Sequence, residues 1–328
     1  MIATIIQRAV MQGTPLLLGS TGEILTEKSG HLNLGIPGIM YVGAISGVAG
    51  SFLYEQSLAS PEMMNPYLAV IIPLLCALIG SAFMGLIYCF LTVTLRANQN
   101  VTGLALTTFG IGIGNFFGGS LMKLVDSDVP SIALSATSTV FKTQLPGADK
   151  LGWFGEIFLS YGFMTYLAIV IAIVVAFVIT KTRTGLNLRA VGENPATADA
   201  AGINVDRYKY IATCLGGMIS GLGGLCYVMD FAAANWQNNI LDQFGWLSVA
   251  LVIFAVWRPN IAIVGSIIFG ALYVIGPFLL GLSNKDQELI KILPYLVTII
   301  VLVIISIRDK KENQPPASLG VSYFREER

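Results

Sequence analysis

No charged side chain occurs in the stretch Pro66-Tyr-Leu-Ala-Val-Ile-Ile-Pro-Leu-Leu-Cys-Ala-Leu-Ile-Gly-Ser-Ala-Phe-Met-Gly-Leu-Ile-Tyr-Cys-Phe-Leu-Thr-Val-Thr-Leu95. An α-helix needs roughly 20 predominantly apolar residues to cross the hydrocarbon core of a bilayer, and this stretch is longer. Because lipid offers the backbone no hydrogen-bond partners, only helices and closed barrels span it. The alternation that barrel strands require is absent here, so the stretch predicts a transmembrane helix.

The whole chain has the composition of an integral membrane protein. Of its 328 residues, 55% are hydrophobic and 12% are charged, whereas a soluble domain carries about 25% charged residues. The formal net charge of zero gives no basis for nucleic-acid binding. The four cysteines form no C-x-x-C pair, and the single histidine, His31, has no partner at metal-ligand spacing. We therefore expect the cysteines to be core residues and expect no metal site and no catalytic residue.

Further apolar runs recur along the chain, at 101–122, 163–180, 210–229, 244–257, 261–282 and 289–307. Glycines at close spacing within several of these runs allow helix backbones to approach each other closely. Together with the N-terminal region, the runs predict an all-α integral membrane protein, a polytopic bundle with nine transmembrane helices.

The N-terminal region is harder to interpret, because Glu23, Glu27 and Lys28 would be costly in open hydrocarbon. Glycines and a proline follow them, and these residues interrupt helices. We expect a helix end, a polar turn and a discontinuous helix that enters the membrane among other helices. Whether residues 1–13 span the membrane or lie along its surface stays open. The apolar runs on either side of the polar segment lie at 15–20 and 39–54.

The basic residues predict the orientation of the bundle. They concentrate in the loop 182–207 and its flanks and in the C-terminal tail, which the positive-inside rule places in the cytoplasm. Arg96 and Arg258 then lie inside as well, and the segment 123–160 lies outside. The tail 312–328, with two consecutive prolines, is expected to be loose and solvated.

One short stretch outside the apolar runs predicts a capped helix of about two turns. Asn194 is a good N-cap residue, Pro195 suits the first helical position, and Gly202 suits the position just after the end. Ala196 and Ala200 share one face and offer a smooth contact surface. The residue chemistry alone leaves two interpretations open. The helix is either a docking site for a partner protein or a surface helix that binds no partner. The charged residues at or beside this helix are Arg189, Glu193 and Asp199.

The stretch Leu188-Arg-Ala-Val-Gly-Glu-Asn-Pro-x-x-Ala-x-x-Ala-Gly-Ile resembles the coupling-helix loop of permease subunits in bacterial ABC importers. Residues 26–40 resemble a signature of the branched-chain amino acid, ribose and nucleoside importers, with Lys28 in an Arg position and Pro37 where Glu is expected. Residues 244–259 resemble the second-half signature, with Ala255 replacing a glycine, and residues 96–106 also fit. The chain is most similar to the nucleoside-type permeases.

The resemblance implies a type II ABC importer-like fold of ten helices with a pseudo-repeat. It implies a single permease domain over 1–310, with the coupling loop at 182–207, and a cytoplasmic tail at 311–328. The implied setting is the bacterial plasma membrane. The implied partners are an ABC ATPase subunit, a second permease subunit in a heterodimer, and a substrate-binding lipoprotein or periplasmic protein.

The resemblance also implies that the chain is not an enzyme and carries no cofactor, with ATP and Mg²⁺ bound by the ATPase. The sequence has no Gly-Lys dipeptide and hence no Walker A loop. Alternatives are a permease for ribose, other sugars or branched-chain amino acids, and an ion-coupled secondary transporter. The secondary transporter is disfavoured because it needs a carboxylate or a cation cage at mid-membrane depth.

Polar and aromatic residues near the ends and breaks of the predicted helices are candidates for solute contact, and so is Asn115 in the middle of a glycine-rich run. Capping or interhelical hydrogen bonding competes with a pathway role for the polar ones, and core packing competes with base stacking for the aromatic ones. The candidates for the pathway are Asn33, Asn100, Thr102, Asn115, Phe244 and Trp246. A second group follows a predicted helix on the outer side and could contact the binding protein or form an outer gate, with an interfacial tryptophan anchor as the alternative. Its members are Asp230, Asn235, Trp236 and Asn238.

Overall fold

The computed structural model describes residues 2–58, 60, 63–124, 132–146, 148, 150–241, 243–276, 286, 289–308 and 314–325. Its helices are α1 (Ile2–Glu27), α2 (Ile36–Gln56), α3 (Pro66–Cys89), α4 (Gln99–Leu124), α5 (Ser135–Phe141), α6 (Gly152–Phe158), α7 (Phe163–Lys181), α8 (Arg183–Glu193), α9 (Pro195–Ala200), α10 (Val205–Cys226), α11 (Phe244–Phe254), α12 (Pro259–Val274) and α13 (Leu293–Arg308). Single π-helical turns extend α3 over Phe90–Thr94 and α10 over Tyr227–Phe231. Two short antiparallel strands, β1 (Ile132–Ala133) and β2 (Asn235–Trp236), pair Ile132 with Trp236.

The predicted all-α membrane architecture is confirmed. Within the described residues, five helices are long and apolar enough to cross a membrane, namely α2, α3, α4, α7 and α10 with their π-helical extensions. Three shorter apolar helices follow in the C-terminal part, namely α11, α12 and α13. Together with α1 these are nine helices among the described residues, and the predicted number of membrane crossings stays a prediction.

Helix α1 is longer than the sequence indicated. The sequence suggested only a short apolar run at 15–20, but the structure has one helix of 26 residues that continues through Pro15. It packs against α7, α10, α11 and α12. Because protein rather than lipid surrounds it, this helix does not need the apolar surface by which a lipid-facing helix is recognised. The helix end, polar turn and new helix predicted after it are confirmed, with the turn at 28–35 and Pro37 in the first turn of α2.

Glycine contacts bring the central helices close together, as predicted. A Cβ atom on Gly110 of α4 would lie 2.5 Å from the carbonyl oxygen of Gly38 of α2. A Cβ atom on Gly216 of α10 would lie 2.4 Å from the carbonyl oxygen of Gly22 of α1. Both distances are shorter than any Cβ contact tolerates, so these crossings need glycine for the close backbone approach.

The chain segments gather at two ends of the bundle. At one, here called the α9 end, the α1–α2 turn contacts α4 and the tail, since Leu32 N donates to Gln99 Oε1 at 2.8 Å and Gly320 N donates to Gly30 O at 3.2 Å. At the opposite end, Gln7 near the start of α1 donates to the carbonyl oxygen of Glu156 in α6 at 2.7 Å. The β1–β2 pair and α5 also lie there.

The tail differs from the expectation of a loose, solvated segment. Residues 314–325 fold back onto the α9 end, where Pro316 is buried and Leu319 packs against the main hydrophobic core. The consecutive prolines stiffen the chain just before these contacts, which lowers the entropy that is lost when the tail docks.

Candidate coupling loop and solute pathway

The local chemistry of α9 is as the sequence predicted. The Asn194 side chain caps the helix by accepting from Thr197 N at 3.0 Å, and Pro195 occupies the first turn. Gly202, with φ of +83°, follows the C-terminal end in the left-handed conformation that glycine adopts without steric cost. The two ends are therefore fixed by side-chain and backbone chemistry within nine residues of chain.

Helix α9 has one covered face and one exposed face. Ala198 is buried in a small cluster with Val191 of α8 and Val205 of α10. Ala196 and Ala200 are exposed, and so are the neighbours Thr197 and Ala201. The exposed face thus carries short side chains only, which is the smooth surface that the alanine spacing predicted.

The charged residues beside α9 form a mixed cluster with the α1–α2 turn. Burial lowers the pKa of Lys28, the nearby Glu193 opposes this, and Arg189 and Arg258 lower the pKa further. The charges of Glu193, Glu27, Arg189 and Arg258 therefore all act on Lys28 at the α9 end. The Arg189 Nε atom is buried and has no partner among the described residues.

Helix α8 contacts the α1–α2 turn directly. A Cβ atom on Gly192 would lie 2.4 Å from the carbonyl oxygen of Lys28, and the Gly192 carbonyl accepts from Ser318 N of the tail at 3.0 Å. The loop that carries α9 is thus in backbone contact with the junction of α1 and α2.

The two signature-like segments of the sequence meet in space. Trp257, from the second, donates from Nε1 to the buried carboxylate of Glu27, from the first. Pro37 of α2 packs against Gly245 of α11, where a Cβ atom would lie 2.3 Å from the proline Cα. These contacts join the N-terminal and C-terminal parts of the bundle near the α1–α2 turn.

Several polar groups of the turn are buried, and some of them make hydrogen bonds. Asn33 N donates to Glu23 Oε1 at 3.1 Å, and His31 Nδ1 lies 3.0 Å from Thr213 Oγ1 of α10. Burial lowers the pKa of His31 well below its ordinary value, with Lys209 adding to the effect, so the imidazole is neutral. A neutral histidine bonded to a hydroxyl acts here as a structural link, and the described residues contain no group of ligands that could hold a metal.

Most pathway candidates make contacts that also fit structural roles. Asn33 Oδ1 accepts from Gly35 N at 2.9 Å just before α2, a capping-type contact, while its buried Nδ2 has no partner among the described residues. Asn115 accepts from Tyr41 OH and donates to Asn239 Oδ1, both at 2.8 Å. Asn115 therefore joins α4 to α2 and to the loop after β2.

The remaining candidates do not form one cluster. At the start of α4, Asn100 is exposed and Thr102 is buried. Phe244 is 2% exposed and packs on Tyr227 with ring centroids 4.2 Å apart, whereas Trp246 is only partly buried. In this conformation the Phe244 ring has no free face for a base, so it serves as packing.

The outer group is split between core and surface. Trp236 is fully buried and meets Tyr41 edge to face at 5.4 Å, so its side chain lies in the core and presents no surface to another protein. Asp230 is 7% exposed within the π-helical turn after α10. Their burial argues against contact of these two side chains with a binding protein, whereas a role as an outer gate stays a prediction. Asn235 is partly buried and Asn238 is exposed, so contact with a binding protein stays a prediction for them.

Sequence reasoning missed a row of buried polar residues along α1. Gln12, Ser20, Glu23 and Glu27 are each at most 3% exposed. Both polar atoms of the Gln12 side chain have no partner among the described residues. The four residues are separated by eight, three and four positions, which places them on one face of the helix. This spacing was the signal in the sequence that could have identified them.

The family model described as branched-chain amino acid transport system / permease component matches residues 5–302. The nucleoside ABC transporter permease protein NupC of Lactococcus lactis subsp. cremoris is 32% identical over 98% of this chain and 96% of its own. The guanosine ABC transporter permease protein NupQ of Bacillus subtilis is 30% identical over 92% of this chain and 91% of its own. The putative glucose ABC transporter permease protein TsgC13 of Haloferax volcanii is 30% identical over 99% of this chain and 98% of its own.

A solved inward-facing putative metal-chelate type ABC transporter covers 93% of this chain and 85% of its own, with a TM-score of 0.49 at 13% identity. That likeness is too low to add to the argument. The family match over most of the chain and the multi-pass helical bundle are together sufficient to assign the chain to a family. The chain belongs to the branched-chain amino acid transport system / permease component family, and it is a non-catalytic membrane subunit of an ABC transporter in which a separate ATPase hydrolyses ATP.

Proposed function

We propose that this permease subunit forms part of the pathway for nucleosides in an ABC importer of the bacterial plasma membrane. Similarity over nearly the whole chain to relatives named for nucleoside and for guanosine transport is the observation that carries the substrate class. The alternative is a sugar, because the relative named for putative glucose transport is similar to the same degree. ATP and Mg²⁺ bind to the ATPase, and the chain itself carries no cofactor.

The α9 end faces the cytoplasm in this proposal. Basic residues gather there, among them Lys181, Arg183, Arg207 and Arg258, as the positive-inside rule expects. The tail then ends in the cytoplasm. The binding lipoprotein or periplasmic protein delivers solute at the opposite end, and a second permease subunit completes the pathway as a heterodimer.

In this proposal the ATPase binds the exposed alanine face of α9. Short side chains at Ala196 and Ala200 let a partner groove close on the helix backbone without displacing long side chains. The capped ends keep this short helix formed in the absence of the partner. Movement of α9 then passes through α8 to the α1–α2 turn, which Gly192 contacts.

The test uses the permease complex co-purified with its ATPase and reconstituted into proteoliposomes with the binding protein. ATP-driven uptake of labelled guanosine should be competed by unlabelled nucleosides and not by glucose or leucine. Competition by glucose alone would favour the sugar alternative. Competition by leucine alone would contradict the nucleoside assignment.

Ala200→Asp should release the ATPase and lower uptake by more than about tenfold, because it places an unpaired carboxylate in the contact at a cost of several kcal/mol. The matched control is Thr184→Asp, which adds the same charge at an exposed site in the first turn of α8. Normal ATPase retention and uptake by Ala200→Asp would refute the docking role of α9.

A further inference from the structure

The C-terminal segment 315–325, here called the tail strap, contacts three separate parts of the α9 end. It contacts the α8–α9 junction through Ser318, whose Oγ donates to Glu193 O at 3.1 Å. It contacts the α1–α2 turn through Gly320, as described above. It contacts the start of α4 through Val321, whose carbonyl accepts from Gln99 Nε2 at 3.4 Å. The tail strap therefore joins segments that are far apart in the sequence.

The tail strap holds α9 itself through one acidic side chain. Tyr323 OH donates to Asp199 Oδ2 at 2.9 Å, and Arg325 Nε lies 3.3 Å from the same oxygen. Only 13% of the Asp199 side chain is exposed, so the Tyr323 hydrogen bond is shielded from water, whereas Arg325 is 72% exposed. The Tyr323 ring also packs on the cluster that contains Ala198.

The end of the tail strap is fixed on its other side as well. The Arg96 guanidinium lies over the Phe324 ring, 4.9 Å from its centroid. A cleft of about 260 Å³ remains between Arg96, Asp199 and Tyr323. Contacts on both sides of Tyr323 make the strap a brace between α9 and the loop before α4.

The strap lies behind α9 and leaves its alanine face open. It covers the side of the helix that carries Ala198 and Asp199, whereas Ala196 and Ala200 stay exposed. A segment that blocked a partner would cover the alanine face instead. The position is that of a support against which the helix can be pushed.

We propose that the tail strap is a coupling element, which carries movement of α9 to the α1–α2 turn and to α4. The inference rests on the proposed ATPase docking at α9. Helix α9 is short and has only a small core of its own. The strap links it to the turn that joins the two central helices α1 and α2. Loss of the strap leaves the alanine face intact, so the ATPase still binds but its cycle drives transport poorly.

The test compares three variants in the reconstituted complex of permease, ATPase and binding protein. The first ends at Gln314 and removes the strap. The second, Tyr323→Phe with Arg325→Gln, keeps the backbone contacts and removes the two groups at Asp199. The third is the control Val321→Ala, whose side chain is 56% exposed and whose contact with Gln99 uses only the backbone.

The truncated permease should retain its ATPase and the ATP hydrolysis rate, while uptake falls by at least about tenfold, within the roughly 5- to 150-fold range typical of coupling between sites. The double variant should show a smaller fall in the same direction, and Val321→Ala none. Unchanged uptake in both the truncated and the double variant would overturn the proposal. Faster uptake would show a blocking segment, and loss of the ATPase would show a docking surface; either would also overturn it.

The two proposals fail in different ways. If Ala200→Asp leaves assembly and uptake intact, the docking role of α9 is wrong. If Ala200→Asp acts as expected while strap removal has no effect on uptake, only the strap proposal is wrong. The melting temperature of each variant in detergent shows whether a loss of uptake reflects misfolding.

Discussion

Gly192→Ala tests the contact between the coupling loop and the α1–α2 turn. The added methyl would lie 2.4 Å from the carbonyl oxygen of Lys28, 3.1 Å from its carbonyl carbon and 3.2 Å from the amide nitrogen of Gly30. All three atoms belong to the backbone and cannot swing aside. The α8 backbone or the turn must therefore move by more than half an ångström, since a carbon–oxygen contact needs at least about 3 Å.

The free-energy cost follows from two opposing terms. Overpacking of a close contact costs about 1–3 kcal/mol. Replacing glycine by alanine inside a helix returns about 0.5–1 kcal/mol. The net penalty on the native contact is about 0–2.5 kcal/mol, and its midpoint corresponds to a factor of about ten in the population that keeps the contact.

The assay is ATP-driven uptake, measured with the ATP hydrolysis rate of the same complex. We expect uptake by Gly192→Ala to fall by about tenfold while the ATPase stays bound, because α9 itself is unchanged. Gly112→Ala in α4 is the matched control, since no atom lies within 4 Å of its added methyl. If the two variants transport equally well, α8 does not transmit movement through this contact.

Two further predictions concern single hydrogen bonds. Trp257→Phe removes the donor to the buried Glu27 carboxylate and should lower the free energy of unfolding by about 1–3 kcal/mol; a melting temperature equal to that of Trp246→Phe, a change at a partly buried indole, would contradict it. Asn194→Ala removes the cap of α9 and should destabilise that helix by about 1 kcal/mol; faster amide exchange at residues 196–201 with an unchanged core would support this, and unchanged exchange there would not.

The sequence predicted the helices that face lipid more completely than the helix inside the bundle. Helix α3 was predicted nearly to its ends, because a helix in contact with lipid must be apolar along its whole length. Helix α1 was not predicted as a whole, because its buried polar row with Gln12 and Glu23 hides the hydrophobic signal. A helix that is surrounded by other helices does not need the apolar surface that contact with lipid requires. A single sequence does not show which helix is surrounded in this way.

The candidate site divides in the same way. The caps of α9 depend on residues within three positions of each other, so local chemistry predicted them. The tail strap depends on a hydrogen bond between Tyr323 and Asp199, which are 124 residues apart. The burial of Trp236 likewise involves Tyr41 of α2, a residue distant in the sequence, whose ring it meets edge to face. Long-range pairings of this kind leave no periodic pattern in either partner.

These contacts converge on the α1–α2 turn. Glu27, at the end of α1, accepts from Trp257, which ties the turn to the segment between α11 and α12. Gly192 brings α8 against the same turn from another side, and Gly320 attaches the tail strap to it. In the proposed mechanism, the subunit receives movement at α9 and passes it to the helices around the pathway. Because the turn joins α1 and α2 directly, movement delivered there would reach two central helices at once.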